Sequence, residues 1–291
     1  MSFLNAFTEN VHKYPDKVAL EFIEPPLQSF TYAELDQLIQ RTMLYLQGLG
    51  VEPGDRVALQ LSKSLEFILL HLATVRLGAI TLPLNLAYPP EELKYFLSDS
   101  GAKLFFALES SKENTKNILS ELPDLQDCIF LNPSEPEQFI SLIPESLNPT
   151  PDSQLPEIDF QDTAIIIYTS GTTGRPKGAE ITHGNIQSNL EALHTAWGWR
   201  PDDVLLHILP IFHVHGLFVA LHGALHAGAT TLMMRAFNDR KTLQNLVERK
   251  CTVLMAVPTI HRRLISIPNP KDFDLSHVRL ITSGSDRLPD E

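Results

Sequence analysis

VALQLSKSLEFILLHLATVRLGAITLPL, residues 57–84, decides the architecture of the chain. Val57 to Leu61 is a short apolar run entered through the turn Pro53, Gly54, Asp55, which predicts a strand. Ser64 to Gly78 predicts a helix, and Ala79 to Leu84 the next strand. The window Leu65 to Leu77 is interrupted by Glu66, His71 and Arg76 and is too short to span a bilayer, so it reads as a buried helix. Strand, covered helix and strand in succession imply parallel strands joined by a right-handed crossover.

The same alternation extends outward. Upstream, Thr31 and Glu34 form a capping box, and Leu35, Leu38, Ile39, Met43, Leu44 and Leu46 recur at helical spacing until Gly48 and Gly50. Downstream, Pro89 and Pro90 open a helix whose first turn carries Glu91 and Glu92, favourable for the helix dipole, before a strand at Lys103 to Ala107. Between Asn132 and Asp162 prolines cluster with Ser, Asp and Glu, which predicts surface loop or a seam. The expected division is therefore 1–150 and 151–291. Beyond the seam, strands are expected at Thr163 to Tyr168, Val204 to Leu209, Thr230 to Met234, Val253 to Val257 and Arg279 to Thr282. The fold class is α/β, with parallel sheets layered between helices.

Bulk properties set limits on function. At roughly 150 residues per domain, a chain of 291 residues holds two domains or one large one and buries a core without disulfides or a structural metal. Hydrophobic residues make up 43% and charged residues 20%, ordinary for a globular chain. A formal net charge of −12 with no basic run argues against nucleic acid as a partner. Cys128 and Cys251 form neither a disulfide framework nor a metal-binding pair, and Met1 to Lys13 lacks the basic and apolar regions of a signal peptide. Those features point to the cytoplasm, and no stretch predicts a transmembrane segment.

Residues 168–178 read YTSGTTGRPKG. On composition alone this is a surface turn between strands. Its order says more. Gly171, Gly174 and Gly178 let the backbone approach a ligand, Thr169, Ser170, Thr172 and Thr173 add hydroxyls, and Lys177 adds an ammonium, the donor set a polyphosphate requires. It is not a Walker A loop, because the Gly-Lys-Ser/Thr ending is absent and Pro176 precedes the lysine.

The eleven-residue string resembles the phosphate-binding loop of adenylate-forming enzymes, the superfamily of acyl-CoA synthetases, luciferases and nonribosomal-peptide adenylation domains. The resemblance implies that a carboxylate attacks the α-phosphate of ATP to give an acyl-adenylate and pyrophosphate, and that the thiol of CoA then takes the acyl group. It implies the layered α/β N-terminal domain of that superfamily. It assigns Thr169, Ser170, Gly171, Thr172, Thr173, Gly174 and Lys177 to the ATP phosphates, with Mg²⁺ held through those phosphates and Thr173 as its candidate protein contact.

Two further regions resemble the same family. LPIFHVHG, residues 209–216, is similar to its aromatic-histidine segment, which makes His213 a gating and catalytic residue beside the acyl pocket. Read without the resemblance, Phe212 to Ala220 is the start of an amphipathic helix with His213 and His215 as polar punctuation. A metal site from His213, His215, His222 and His226 is disfavoured, since no cysteine or carboxylate accompanies them. AVPTIHRRLISIP and LITSGSDRLP, within residues 256–289, look most like malonyl-CoA synthetases. That likeness implies that Arg263 and Ser285 hold the distal carboxylate of malonate or another short acid, and an arginine fork suits such a group. The other reading makes Arg262 and Arg263 a solvated helix face. A medium- or long-chain fatty acid or an aryl acid is the alternative substrate.

The resemblance covers essentially the whole chain, but the family's Tyr-Gly-x-Thr-Glu segment, its ribose-binding Asp and its C-terminal domain with a catalytic Lys have no counterpart in these residues. Asp286, Asp290 and Glu291 sit in no matching motif. The expectation is a partial enzyme, incomplete for turnover and open to self-association through apolar surface left uncovered. The alternatives are an inactive nucleotide-binding remnant or interaction module, or an unrelated α/β protein with a Gly-rich turn.

Overall fold

Leu65 to Val75 are all buried, so the helix expected at the centre of residues 57–84 is enclosed on every side. The computed structural model describes residues 2–145, 156–169 and 174–287. In chain order the elements begin with α1 (Asn5–Lys13), β1 (Val18–Phe22), β2 (Gln28–Thr31), α2 (Tyr32–Gly48), β3 (Arg56–Gln60), α3 (Leu65–Arg76), β4 (Ile80–Pro83), α4 (Pro90–Ser100) and β5 (Leu104–Leu108). There follow α5 (Lys112–Leu119), β6 (Asp127–Leu131), α6 (Pro136–Leu142), β7 (Thr163–Thr169), β8 (Lys177–Thr182), α7 (His183–Trp197) and β9 (Val204–His207). A π-helical segment, His215–His222, leads into α8 (Gly223–Ala227), and β10 (Thr230–Met233), α9 (Asp239–Glu248), β11 (Val253–Ala256), α10 (Pro258–Ile265) and β12 (Leu280–Ser283) complete the order.

The chain divides into two compact units, Met1–Phe3 with Asp36–Gln187 and Leu4–Leu35 with Ser188–Glu291. The boundary expected at 150/151 lies outside the described residues. The observed division follows the sheets instead, and β7 belongs to the first unit because it pairs in parallel with β4, Ile165 opposite Thr81.

The first unit carries a six-stranded sheet in the order β6-β5-β3-β4-β7-β8. Its strands are parallel except β8, which runs antiparallel to β7. β3 reads as an almost continuous apolar run because a central parallel strand is covered on both faces. Ser64 caps α3 by accepting from the Phe67 amide at 3.4 Å, satisfying one of the free donors of the first turn. Leu82, Phe96, Phe105 and Ile166 belong to one buried cluster of this unit. Each such side chain contributes about 1.5–3 kcal/mol by leaving water.

The second unit carries a six-stranded sheet in the order β12-β11-β9-β10-β1-β2, parallel except β2, which runs antiparallel to β1. Alternation along the strands separates two cores: Leu206 and Leu254 pack with Leu243, Leu246 and Leu264, while Leu205, Val253 and Met255 pack with Trp199, Ala220 and Ala224. The capping box forms as expected. Thr31 N donates to Glu34 Oε2 at 2.8 Å and Glu34 N to Thr31 Oγ1 at 3.2 Å.

Candidate functional site

Residues 168–178 join two antiparallel strands. Thr169, the last residue of β7, lies opposite Lys177, the first of β8, and Tyr168 lies opposite Gly178. Both ends are tied to one helix. Tyr168 Oη donates to Asp99 Oδ2 at 2.6 Å, and Tyr95 Oη donates to the Pro176 carbonyl at 2.8 Å. Tyr95 and Asp99 stand one turn apart on α4, so a single helical face holds the strand that enters the connection and the residue that leaves it. Phe96 packs on Tyr168 with ring centroids 4.4 Å apart, and the Arg175 guanidinium lies 5.4 Å from the Tyr95 ring centroid. Burial first, and the acidic neighbour Asp99 second, push the Tyr168 phenol far above its ordinary value, so it stays a donor.

Gly178 answers a steric need. A Cβ there would stand 2.9 Å from Ile166 Cγ2 and 3.3 Å from Tyr168 Cζ. Lys177 is exposed and makes no ion pair with a described residue. Gly174 is exposed with φ +150 and no neighbour against a built Cβ. Ser170, Gly171, Thr172 and Thr173 lie outside the described residues.

The histidine segment lines a cleft of the second unit. Gly216 sits so close to the preceding loop that a Cβ would collide with the Pro210 carbonyl oxygen and stand 2.8 Å from its carbon. That approach, with His207 Nε2 and the Gly216 carbonyl oxygen 2.8 Å apart, fixes the start of the π-helical segment. His215 is thereby turned into a cleft of about 300 Å³ whose walls include Leu193 and Trp197 of α7, Val214, Val219 and Ser285. His215 Nδ1 lies 3.1 Å from Ser285 Oγ. Ser285 itself holds φ +66, the left-handed region that a non-glycine residue rarely adopts. Burial lowers the pKa of both His213 and His215.

Of the residues expected at the acyl site, Ser285 lies on this cleft, beside His215 rather than His213. His213 is exposed, with its ring 4.3 Å from that of Phe212, and is not among the cleft's lining residues. Arg263 is also not among them. Its guanidinium pairs with Asp239, Nη2 to Oδ1 at 2.5 Å and Nε to Oδ2 at 3.2 Å, and lies 4.7 Å from the Phe237 ring centroid. Sequence reasoning passed over His215, Tyr95 and Asp99. The glycine that follows His215 was the available signal for the first, while nothing local marks the other two.

One lining residue of the cleft, Trp197, is linked to Asp203 through Arg279. Arg279, immediately before β12, donates from Nε to Asp203 Oδ1 at 2.6 Å and pairs with Oδ2 through Nη2, while its Nη1 reaches the Trp197 carbonyl at 3.0 Å. Burial alone would raise the Asp203 pKa, but Arg279, Thr252 Oγ1 and the Arg200 amide together hold it below the usual carboxylate value.

Comparison with known proteins adds the family. Residues 7–291 match the model of the AMP-binding enzyme family. The chain is 37% identical to malonate–CoA ligase ACSF3, mitochondrial, of Xenopus laevis over 81% of this chain and 42% of that protein. It is 32% identical to oxalate–CoA ligase of Arabidopsis thaliana over 90% of this chain and 51% of that protein. The chain thus spans about half the length of these relatives. Among solved structures, ATP-bound MatB from Rhodopseudomonas palustris superposes with a TM-score of 0.85 at 36% identity, covering 99% of this chain and 56% of that one. The fold agrees with these findings, and among the described residues no helix is long and apolar enough to cross a membrane.

Proposed function

The chain belongs to the AMP-binding enzyme family, and on that premise we propose that it is the ATP- and acid-binding portion of a ligase that activates a short carboxylic acid for transfer to CoA. The observation that carries this reading is the hairpin at 168–178, anchored through Tyr168 and Pro176 with Lys177 exposed opposite Thr169. An exposed ammonium next to a hydroxyl, on a connection rich in glycine, suits phosphate oxygens.

In the proposed reaction a carboxylate oxygen of the acid forms a bond to the α-phosphorus of ATP while the bond to pyrophosphate breaks. A CoA thiol then attacks the acyl carbon, loses its proton and releases AMP. Lys177 and Thr169, with Ser170, Gly171, Thr172, Thr173 and Gly174, hold the β- and γ-phosphates in line, so positioning and charge neutralisation do most of the work. Mg²⁺, bound through the phosphates, would neutralise charge on the departing pyrophosphate. Ser285 lines the acyl cleft and His213 guards its approach. Arg263 meets a distal carboxylate only after parting from Asp239. The names of the relatives, a malonate–CoA ligase and an oxalate–CoA ligase, support a short dicarboxylic acid as substrate. Cys128 and Cys251 are both free, which supports a reducing compartment, the cytoplasm.

Calorimetric titration with ATP and Mg²⁺ tests the nucleotide half. Saturable binding is expected, weakened about tenfold or more in Lys177→Ala, the loss that removing one charged hydrogen bond of about 1.5–3 kcal/mol produces. Equal affinity in the two proteins would overturn the assignment of the hairpin.

A further inference from the structure

The fold gives His226 a neighbour that its place in the sequence conceals. His194 of α7 and His226 of α8 pack with ring centroids 5.3 Å apart and ring planes at 68°. We propose that these two imidazoles bind an exchangeable divalent transition-metal ion of the zinc type, which bridges α7 to α8. The pair lies within the second unit and takes no part in the chemistry proposed above.

An edge-to-face contact between two rings needs no ligand, but this one leaves Nδ1 of both His194 and His226 buried without a hydrogen-bond partner among the described residues. A buried polar atom in that state costs stability until something engages it. A neutral imidazole keeps one bare nitrogen, which is a good ligand for zinc, nickel or copper. The spacing fits as well. With zinc–nitrogen bonds of about 2.0–2.1 Å, two imidazoles on one tetrahedral ion have ring centroids about 5.2 Å apart. The observed separation therefore asks for rotation of the rings and little movement of the helices.

The local field favours positive charge. Each histidine stands in the last turn of its helix, at the negative end of the dipole. Glu191, exposed and three positions before His194, and Glu9 of α1 both act on His226 electrostatically. Asn10 Nδ2 donates to the carbonyls of Leu225 and His226, each at 3.0 Å, so α1 fixes the last turn of α8. Among the described residues no three histidine, cysteine or carboxylate side chains already stand together as a ligand set. The protein thus supplies two nitrogens, and water or the Glu191 carboxylate in another rotamer completes the shell. A shell left open in that way suits an exchangeable ion rather than a closed structural one. Magnesium, which demands oxygen ligands, is disfavoured. The two helices also border the cleft, since Leu193 and Trp197 belong to α7 and α8 continues the segment that bears Val219, so an ion between them ties those walls together.

Calorimetric titration of the chain with Zn²⁺, with Mg²⁺ as the control, tests the site. One zinc per chain is expected to bind the wild type, with affinity at least tenfold weaker in His194→Gln and in His226→Gln. Zinc should raise the Tm of the wild type and of neither variant. In ¹⁵N NMR of the wild type, the imidazole nitrogens of His194 and His226 should shift together up to one equivalent of zinc and stay unmoved by Mg²⁺. Zinc bound no more weakly by the variants, shifts confined to other histidines, or the absence of any saturable event would overturn the proposal. Should a variant fail to fold, the NMR titration of the wild type decides.

Discussion

Tyr168 donates its phenolic hydrogen to Asp99 over 2.6 Å, linking the strand that enters the candidate phosphate-binding connection to the last turn of α4. Removing that hydroxyl should leave the ring packed on Phe96, so Tyr168→Phe is expected to change thermal stability by no more than about 1 kcal/mol. ATP affinity should fall severalfold because the connection loses an anchor. Paired melting curves and ATP titrations check this, and a stability loss without an affinity loss would make the bond merely structural.

Gly216 provides a second test. A methyl group there meets the Pro210 carbonyl, and backbone cannot swing aside as a side chain can. Gly216→Ala is expected to destabilise the protein by about 1–3 kcal/mol and to disturb the cleft at His215. Gly48 ends α2, and a Cβ there meets nothing within 4 Å, so Gly48→Ala serves as the neutral or slightly stabilising control in the same thermal scan.

Asp203→Ala should be costly, because it strands the Arg279 guanidinium and removes the acceptor for Thr252 Oγ1. Breaking a buried pair costs about 3–5 kcal/mol, and the low end applies because Arg279 is partly solvated. The pH dependence has a definite sign. The Asp203 pKa is lowered in the fold, so its contribution is complete above the unfolded value of about 3.9 and is lost as pH falls through the folded one. Denaturant midpoints of wild type and variant should converge in acid.

His71 and His183 act in a different pH window. Burial lowers His71 to about 3 and His183 to about 4. Below the unfolded value of about 6.5 the unfolded chain therefore takes up protons that the folded chain refuses, and stability must fall as pH decreases toward those values. These two rings should contribute up to two protons to the slope of the denaturation midpoints between pH 7 and pH 4, a contribution reduced in His71→Gln and again in the double variant with His183→Asn. An unchanged slope would contradict the buried neutral state of both rings.

What could be read from sequence follows from how local each feature is. The buried helix α3 and the Thr31–Glu34 cap declare themselves within a few residues, through an unbroken apolar run and a spacing of three. β8, KGAEIT, is mostly exposed and shows no apolar alternation, so only its antiparallel register with β7 reveals it. β1 and β2 were missed as well, since β1 is defined by a partner strand far along the chain. The phosphate-binding string was legible because its residue order is contiguous. The acyl cleft was not: His215 and Ser285 are 70 positions apart, and the engagement of Arg263 by Asp239 spans 24. The apolar string HGLFVALH reads as an ordinary helix, and the wider π-type winding that aims His215 arises from contact with Pro210.

The register of β1 against β10, Leu20 beside Thr231, has a consequence for how the protein is made. During synthesis the amino-terminal strand leaves the ribosome roughly 200 residues before its parallel neighbour exists, and the intervening sheet of the first unit can form in the meantime. The growing polypeptide must therefore carry Val18–Phe22 with only the short β2 hairpin to cover it, an apolar ribbon for which a chaperone that shields extended segments would compete until residue 233 emerges.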